Sequence, residues 1–217
     1  MAEAVPAAGA PKVSRLDRRK ARTRQALIDA AVQLIGDGRG DRASVQEITE
    51  VADIGFGSFY NHFESKDQLF ETASNQVLER WGQMIDRATA GISDPAQVFS
   101  VSLRLSARLS WTHPEVARFI TGAGLDLLDA PGGLAPRALR DLRAGQAAGR
   151  FTITDAEIAL SAVAGGLLGL LRLYERHPER VARGAVDELA EACLRLLGVP
   201  PAQARRIARL PLPDPSW

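Results

Sequence analysis

Apolar residues along this chain return at spacings of three and four and almost never alternate, which leaves little material for a β-sheet and ample material for helices with one buried face. The run Ala26, Leu27, Ala30, Ala31, Leu34 and Ile35 is one such face and predicts a helix from about Asp17 to Gly36. Glycine, proline and aspartate punctuate the rest. Breaks fall at Gly36 to Arg42, Gly91 to Pro95, His113-Pro114, Ala130 to Gly133, Gly149 to Thr154, His177-Pro178 and Gly198 to Pro201. Between them lie segments rich in Ala, Leu and Arg, at about 95–111, 114–129, 135–148, 155–176, 180–197 and 201–209. The expected fold class is therefore all-α, with roughly nine or ten helices and no internal repeat.

A length of 217 residues suits one large domain or two small ones, and 46% apolar with 24% charged residues excludes disorder of the whole chain. Twenty-seven Lys plus Arg face 26 Asp plus Glu, so the net charge of +1 excludes a globally basic nucleic-acid binder. Any such function must rest on local charge. The single cysteine, Cys193, rules out an intramolecular disulfide and a cysteine zinc cluster, and points to a reducing compartment. It lies among Leu189, Ala192, Leu196 and Leu197 and reads as a small core residue. The opening MAEAVPAAGAP lacks a charged start and an apolar core, so it is no signal peptide, and residues 1–16 are expected to be a disordered tail. The longest charge-free apolar stretch, Ile158 to Leu171, falls short of the roughly 20 residues that cross a bilayer. A soluble, cytoplasmic protein with no membrane partner is expected. His62, His113 and His177 stand too far apart to suggest a metal site, and no nucleophile, base or phosphate-loop pattern is visible, so neither a metal, a cofactor nor enzyme activity is expected.

The local charge is found near the N-terminus. Lys12, Arg15, Arg18, Arg19, Lys20, Arg22 and Arg24 face the one acid Asp17. After the loop, Ser44 reads as an N-cap, with Glu47 completing a capping box, for a short helix from about Val45 to Ala52. Asp53 follows in a tight turn that needs a residue in the left-handed region, where Asp is a good choice after Gly. A third short helix, Phe56 to His62 with Gly55 before it, and a long helix capped by Ser65 and running to about Ala90 complete the set.

Helix, tight turn and second helix is the arrangement that rests one helix on the DNA backbone and places the next in the major groove. In the second helix Asn61 has the bidentate groups that match adenine, Ser58 can bond a base or phosphate, and Phe56 can meet a thymine methyl. Tyr60, His62 and Lys66 suit phosphates, while Phe59 and Phe63 are expected to face inward. The stretch SVQEITEVADIGFGSFYNHFESKDQLF, Ser44 to Phe70, resembles the signature of the tetracycline repressor (TetR/AcrR) family, most strongly at Gly57-Ser58-Phe59-Tyr60, His62-Phe63 and Ser65-Lys66. The resemblance implies an all-helical homodimer with a DNA-binding head, residues 17–64, and an effector-binding and dimerisation body, residues 65–217. It also implies backbone contacts from Ser44, Tyr60, His62 and Lys66 and base proximity for Phe56, Ser58 and Asn61, with Arg22 adding charge. Two departures stand out. Asp53 replaces the usual turn glycine, and Gly55-Phe56 replaces the frequent Ser followed by Lys or Arg, which removes a cation from the reading helix.

In the body, Ala162, Gly165, Gly166 and Gly169 within Ile158 to Leu173 invite close helix packing. The resemblance implies a four-helix dimer interface there, on about 156–175 and 181–197, with Leu173, Leu189, Cys193 and Leu196 as further interface residues. An effector site is expected among the middle helices, with Trp81, Met84, Phe99, Leu103, Trp111 and Phe119 as apolar candidates and Arg104 and Arg108 as polar anchors. The function expected is a repressor released from an inverted-repeat DNA operator by a small lipophilic molecule. The alternative is a helical ligand-binding or scaffolding protein with a degenerate head.

Overall fold

The computed structural model describes residues 14–112, 114–130, 132–180 and 184–213. Among them the chain forms nine α-helices joined by short loops and four 3-10 turns, with no strand. The helices are α1 (Arg15–Gly36), α2 (Val45–Val51), α3 (Lys66–Thr89), α4 (Pro95–Thr112), α5 (Pro114–Ala123), α6 (Leu134–Ala147), α7 (Ala156–Arg176), α8 (Ala185–Leu196) and α9 (Pro201–Ala208).

Most helix ends lie within a residue or two of where the breaks place them; α8 starts at Ala185, five residues after the expected 180, beyond a 3-10 turn at Pro178–Arg180. α1 starts at Arg15, ahead of the expected Asp17. Asp17 is the third residue of the helix, its N–H donating to Ser14 Oγ (3.0 Å) while Ser14 N–H donates back to its carboxylate (3.2 Å), a closed capping box. The rest of the expected tail, residues 1–13, lies outside the described residues. The box at Ser44 is only half closed: Glu47 N–H donates to Ser44 Oγ (3.1 Å), but the Glu47 carboxylate takes Arg39 instead. The expected helix 114–129 changes to a 3-10 turn at Gly124, whose φ of +62° no α-helix accommodates.

Two cores lie in the body and one in the head. Leu27, Ile28, Ala31 and Leu34 of α1 pack on Ile48, Phe59 and Phe63, with Leu69 and Ala73 of α3 closing the cluster. Further along the same helix, Leu78, Trp81, Met84 and Ile85 pack on α4, α5 and Leu171. The expected division between residues 64 and 65 falls at the start of α3, whose first turns belong to the head core and whose later turns belong to the body. The other body core joins Phe99, Leu142, Phe151, Leu160, Leu194 and Ile207 from α4 and α6 through α9. By length and composition alone α7 is apolar enough to span a bilayer, although its charge-free run is shorter. The surplus has a local reason. α7 packs against α4, α5, α6 and α8 while keeping a second apolar face, with Ile158 71% exposed and Leu173 38% exposed.

Candidate nucleic-acid interface and effector cavity

Asp53 adopts φ +52°, the left-handed turn residue that the sequence required, and Ile54 N–H donates to Thr49 O (3.0 Å) to fold the chain back on α2. The segment that follows, Phe56–Asn61, is a 3-10 turn, not the expected α-helix. Glycines at 55 and 57 in so short a stretch disfavour α-helical closure, and Ser58 N–H donates to Gly55 O (2.8 Å) instead. Phe59 and Phe63 point inward, fully buried, as expected. Phe56 (54% exposed), Tyr60 (59%), Gly57 and Asn61 project outward, with Ser58 half-buried. Ser44 and Arg22 are exposed, and Lys66 is half-buried at the start of α3. All nine sequence-chosen residues therefore lie on the head or at its edge.

The reading segment is braced by rings and flanked by charge. Phe56 meets Tyr60 edge-on (6.2 Å between centroids), and Tyr60 meets the buried Phe59 edge-on (5.2 Å). Arg24 lies 4.7 Å over the Phe63 ring, which fixes the exposed half of α1 beside the segment. Asp17, Lys20, Ala21, Arg24, Asn61 and His62 form a concave seat there. Burial, then Lys20 and Arg24, lower the His62 pKa, and His62 Nδ1 is buried with no hydrogen-bond partner among the described residues. The seat thus brings together two cations, the Asp17 carboxylate and an imidazole whose neutral form is favoured.

The body holds a partly open, mostly apolar cavity of about 110 Å³. Leu78 and Ile85 of α3, Phe99, Ser102, Leu103 and Ser106 of α4, and Val163 and Leu167 of α7 form part of its wall. α6 adds Arg137 and Asp141, the charged groups of the lining. Arg137 donates to both Glu79 oxygens (2.7 and 2.9 Å), to Asp86 (2.7 Å) and to the Gly133 carbonyl (2.8 Å), clamping α6 onto α3. The clamp depends on Gly82, where any Cβ would stand 2.6 to 2.8 Å from the guanidinium and its stem. Hydrogen bonds from Arg137 hold the Glu79 carboxyl down at about 2. Burial pushes Asp86 up, but hydrogen bonds from Arg137 and Arg140 outweigh it and leave it below its ordinary value. Burial raises Asp141, partly offset by Arg140.

Of the eight residues expected to meet an effector, Phe99 and Leu103 line this cavity. Trp81 and Met84 are buried in the adjoining core. Arg104, 4% exposed, donates to Asp187 (2.8 Å) and to the Leu210 carbonyl (2.7 Å), so it tethers α8 and the C-terminal segment instead of anchoring a ligand. Arg108 is exposed, Trp111 packs on Tyr174 at the surface (5.0 Å), and Phe119 faces a cleft between head and body beside Phe70 and Arg118. The sequence reading missed Arg137 and Asp141, although a charged pair four apart beside the apolar stripe Leu134, Ala138 and Leu142 was a usable signal.

The residues expected at a dimer face divide in two. Ala162, Gly165 and Gly169 are exposed on α7, with Leu173 (38% exposed), and Leu196 (52%) is exposed on α8. Gly166, Leu189 and Cys193 form the seam between α7 and α8 inside one subunit: a Cβ on Gly166 would stand 3.2 Å from Leu189 and 3.9 Å from Cys193 Sγ. Cys193 is 6% exposed and burial pushes its thiol up to about 11, so it is a core residue and not part of an exposed face.

Residues 27–73 match the family model described as "Bacterial regulatory proteins, tetR family", and residues 94–210 match "Tetracyclin repressor-like, C-terminal domain". The chain belongs to the TetR family. Its relatives include the HTH-type transcriptional repressor DhaR of Mycobacterium sp. (strain GP1), 36% identical over 75 residues, and the HTH-type transcriptional repressor KstR2 of Mycolicibacterium smegmatis, 30% identical over 83. Those matches cover 35% and 36% of this chain but only 36% and 40% of the relatives' length. Among solved structures, RolR in complex with resorcinol is 35% identical and superposes with a TM-score of 0.75, covering 92% of this chain and 99% of that one. The fatty acid degradation regulator FadR of Bacillus halodurans, 18% identical with a TM-score of 0.64 over 81% of this chain and 94% of that one, shares the fold.

Proposed function

We propose that this TetR-family chain is a ligand-responsive, sequence-specific DNA-binding regulator, acting as a repressor that a small hydroxylated aromatic molecule releases from an inverted-repeat operator. The observation that carries the reading is α3: its first residue, Lys66, borders the reading segment, while Glu79 and Asp86 on the same helix are clamped by a cavity-lining arginine. At about 110 Å³ the cavity is smaller than the apolar cavity of roughly 150 Å³ that accepts benzene, so a single ring is the largest group it takes, with some outward movement of its walls. Ser102, Ser106, Arg137 and Asp141 supply donors and acceptors for ring hydroxyls. That RolR, at 35% identity, is seen in complex with resorcinol supports the same ligand class. An effector hydroxyl that takes a bond from Arg137 competes with Glu79 and Asp86, so ligand and clamp favour different positions of α3.

The exposed apolar face of Ile158, Ala162, Gly165, Gly169, Leu173 and Leu196 is the surface on which two copies pair, so that two heads reach two half-sites. Selection of genomic fragments on the purified protein, at low and moderate salt, tests the reading. Recovery of one imperfect palindrome, released by resorcinol or a related phenol, is the expected result. Sequence-blind binding at every salt would instead favour a ligand-binding protein with a degenerate head.

A further inference from the structure

The reading surface has an unusual chemistry for one that meets DNA. Residues 54–61 carry no charged side chain, so the segment lacks the Arg or Lys whose fork matches the guanine edge. It presents two aromatic rings outward, Phe56 (54% exposed) and Tyr60 (59%), and of these Phe56 is the wholly apolar one. The ring is not loose. It is seated on Tyr60 at 6.2 Å, Tyr60 is seated on Phe59 at 5.2 Å, and Phe59 is fully buried in the head core. A chain of edge-on contacts thus holds an apolar group at a fixed height above the segment. Gly57 beside it has nothing within 4 Å of its Cβ position, so no neighbouring side chain keeps a base edge away. An apolar group so held has one apolar counterpart in the major groove, the C5 methyl of thymine.

We infer that Phe56 reads the C5 methyl of a thymine in each half-site, and that the reading segment selects A·T pairs through Phe56 and Asn61. The inference rests on the DNA-binding reading above and names what that site recognises. Asn61, exposed on the same segment, has the bidentate groups that match adenine.

The test uses the unmodified protein and synthetic operators in which each thymine in turn is replaced by uracil, which pairs identically and lacks only the methyl. Affinity should fall about fourfold at one position per half-site, and about fifteenfold when both symmetric positions are changed. Phe56→Ala should bind thymine and uracil operators equally, while Phe56→Leu should retain part of the discrimination. Operator binding that is specific but indifferent to uracil at every thymine would overturn the inference and leave the regulator reading standing. An unchanged uracil penalty in Phe56→Ala would also overturn it, because another residue would then hold the methyl. Failure to recover any specific operator would overturn both readings together.

Discussion

Replacing Arg137 by Met removes the charge that clamps α6 to α3 while keeping a flexible stem of similar reach. Breaking a buried ion pair from one side costs about 3–5 kcal/mol. Here the penalty is smaller, because the Glu79 and Asp86 side chains are 42% and 34% exposed and recover water when the guanidinium leaves. Asp86 also keeps Arg140 at 2.9 Å. A net loss of about 1.5–2 kcal/mol remains, which for a chain of this size lowers the melting temperature by about 3–8 °C. The pH dependence carries a sign that packing loss alone would not. Arg137 holds Glu79 at about 2 against an ordinary value of 4.5, so the bound form is the carboxylate. The stabilisation is whole above the unfolded value and is lost as pH falls from there towards about 2. The gap in melting temperature between wild type and Arg137→Met should therefore narrow between about pH 7 and about pH 3. Thermal melts followed by helical circular dichroism, at one protein concentration, measure it. A gap below about 1 °C at neutral pH, or one that stays constant into acid, would refute the clamp.

Four further substitutions bear on other parts of the molecule. Gly165→Leu finds open space within the subunit, so it should leave the fold intact and crowd the exposed face of α7; an unchanged mass in solution would remove that face from the dimer. Arg22→Ala should weaken binding to all sequences alike and reduce the salt slope by about one, whereas Asn61→Ala should flatten preference among operator variants. Identical behaviour of the two in binding titrations would end the base-reading role of Asn61. Gly145→Ala places a methyl inside the envelope of the buried Phe151 ring and should cost about 1–3 kcal/mol, read as a lower urea midpoint; no shift would mean that α6 moves freely there.

The head was legible in the sequence because its elements are set by local rules. Ser44 and Ser65 cap helices through the N–H of the third residue, and Asp53 takes the left-handed turn, all within four residues of their causes. Locality also explains the errors. Gly55 and Gly57 favour the 3-10 turn, but the apolar spacing of Phe56, Phe59 and Phe63 fits an α-helix equally well, so the pattern alone does not separate the two. The cavity was less legible. On α4, serines and Arg104 are interleaved with the apolar residues of 99–107 and nearly all are buried, so no polar face separates Phe99 and Leu103, which face the cavity, from Leu105 and Leu109, which face the other core. Arg104 puts a charge into that helix and by pattern alone suits a ligand anchor, whereas its partners Asp187 and Leu210 lie 83 and 106 residues away. Arg137 was overlooked for the same reason: its carboxylate partners sit more than 50 residues upstream.

α3 has a consequence for how this chain can be divided. Leu69 and Ala73, both fully buried, form the floor of the head core, while five residues on Leu78 begins the packing of the body. No loop intervenes, so there is no exposed joint for a protease to cut and no hinge that lets the head turn by itself. A head released after residue 64 would leave Phe59 and Phe63 without their cover and should not fold. The smallest piece able to hold the reading surface must carry the first turns of the helix that leads to the effector cavity. Recognition and response are then two ends of one rod, inherited, stabilised and lost together.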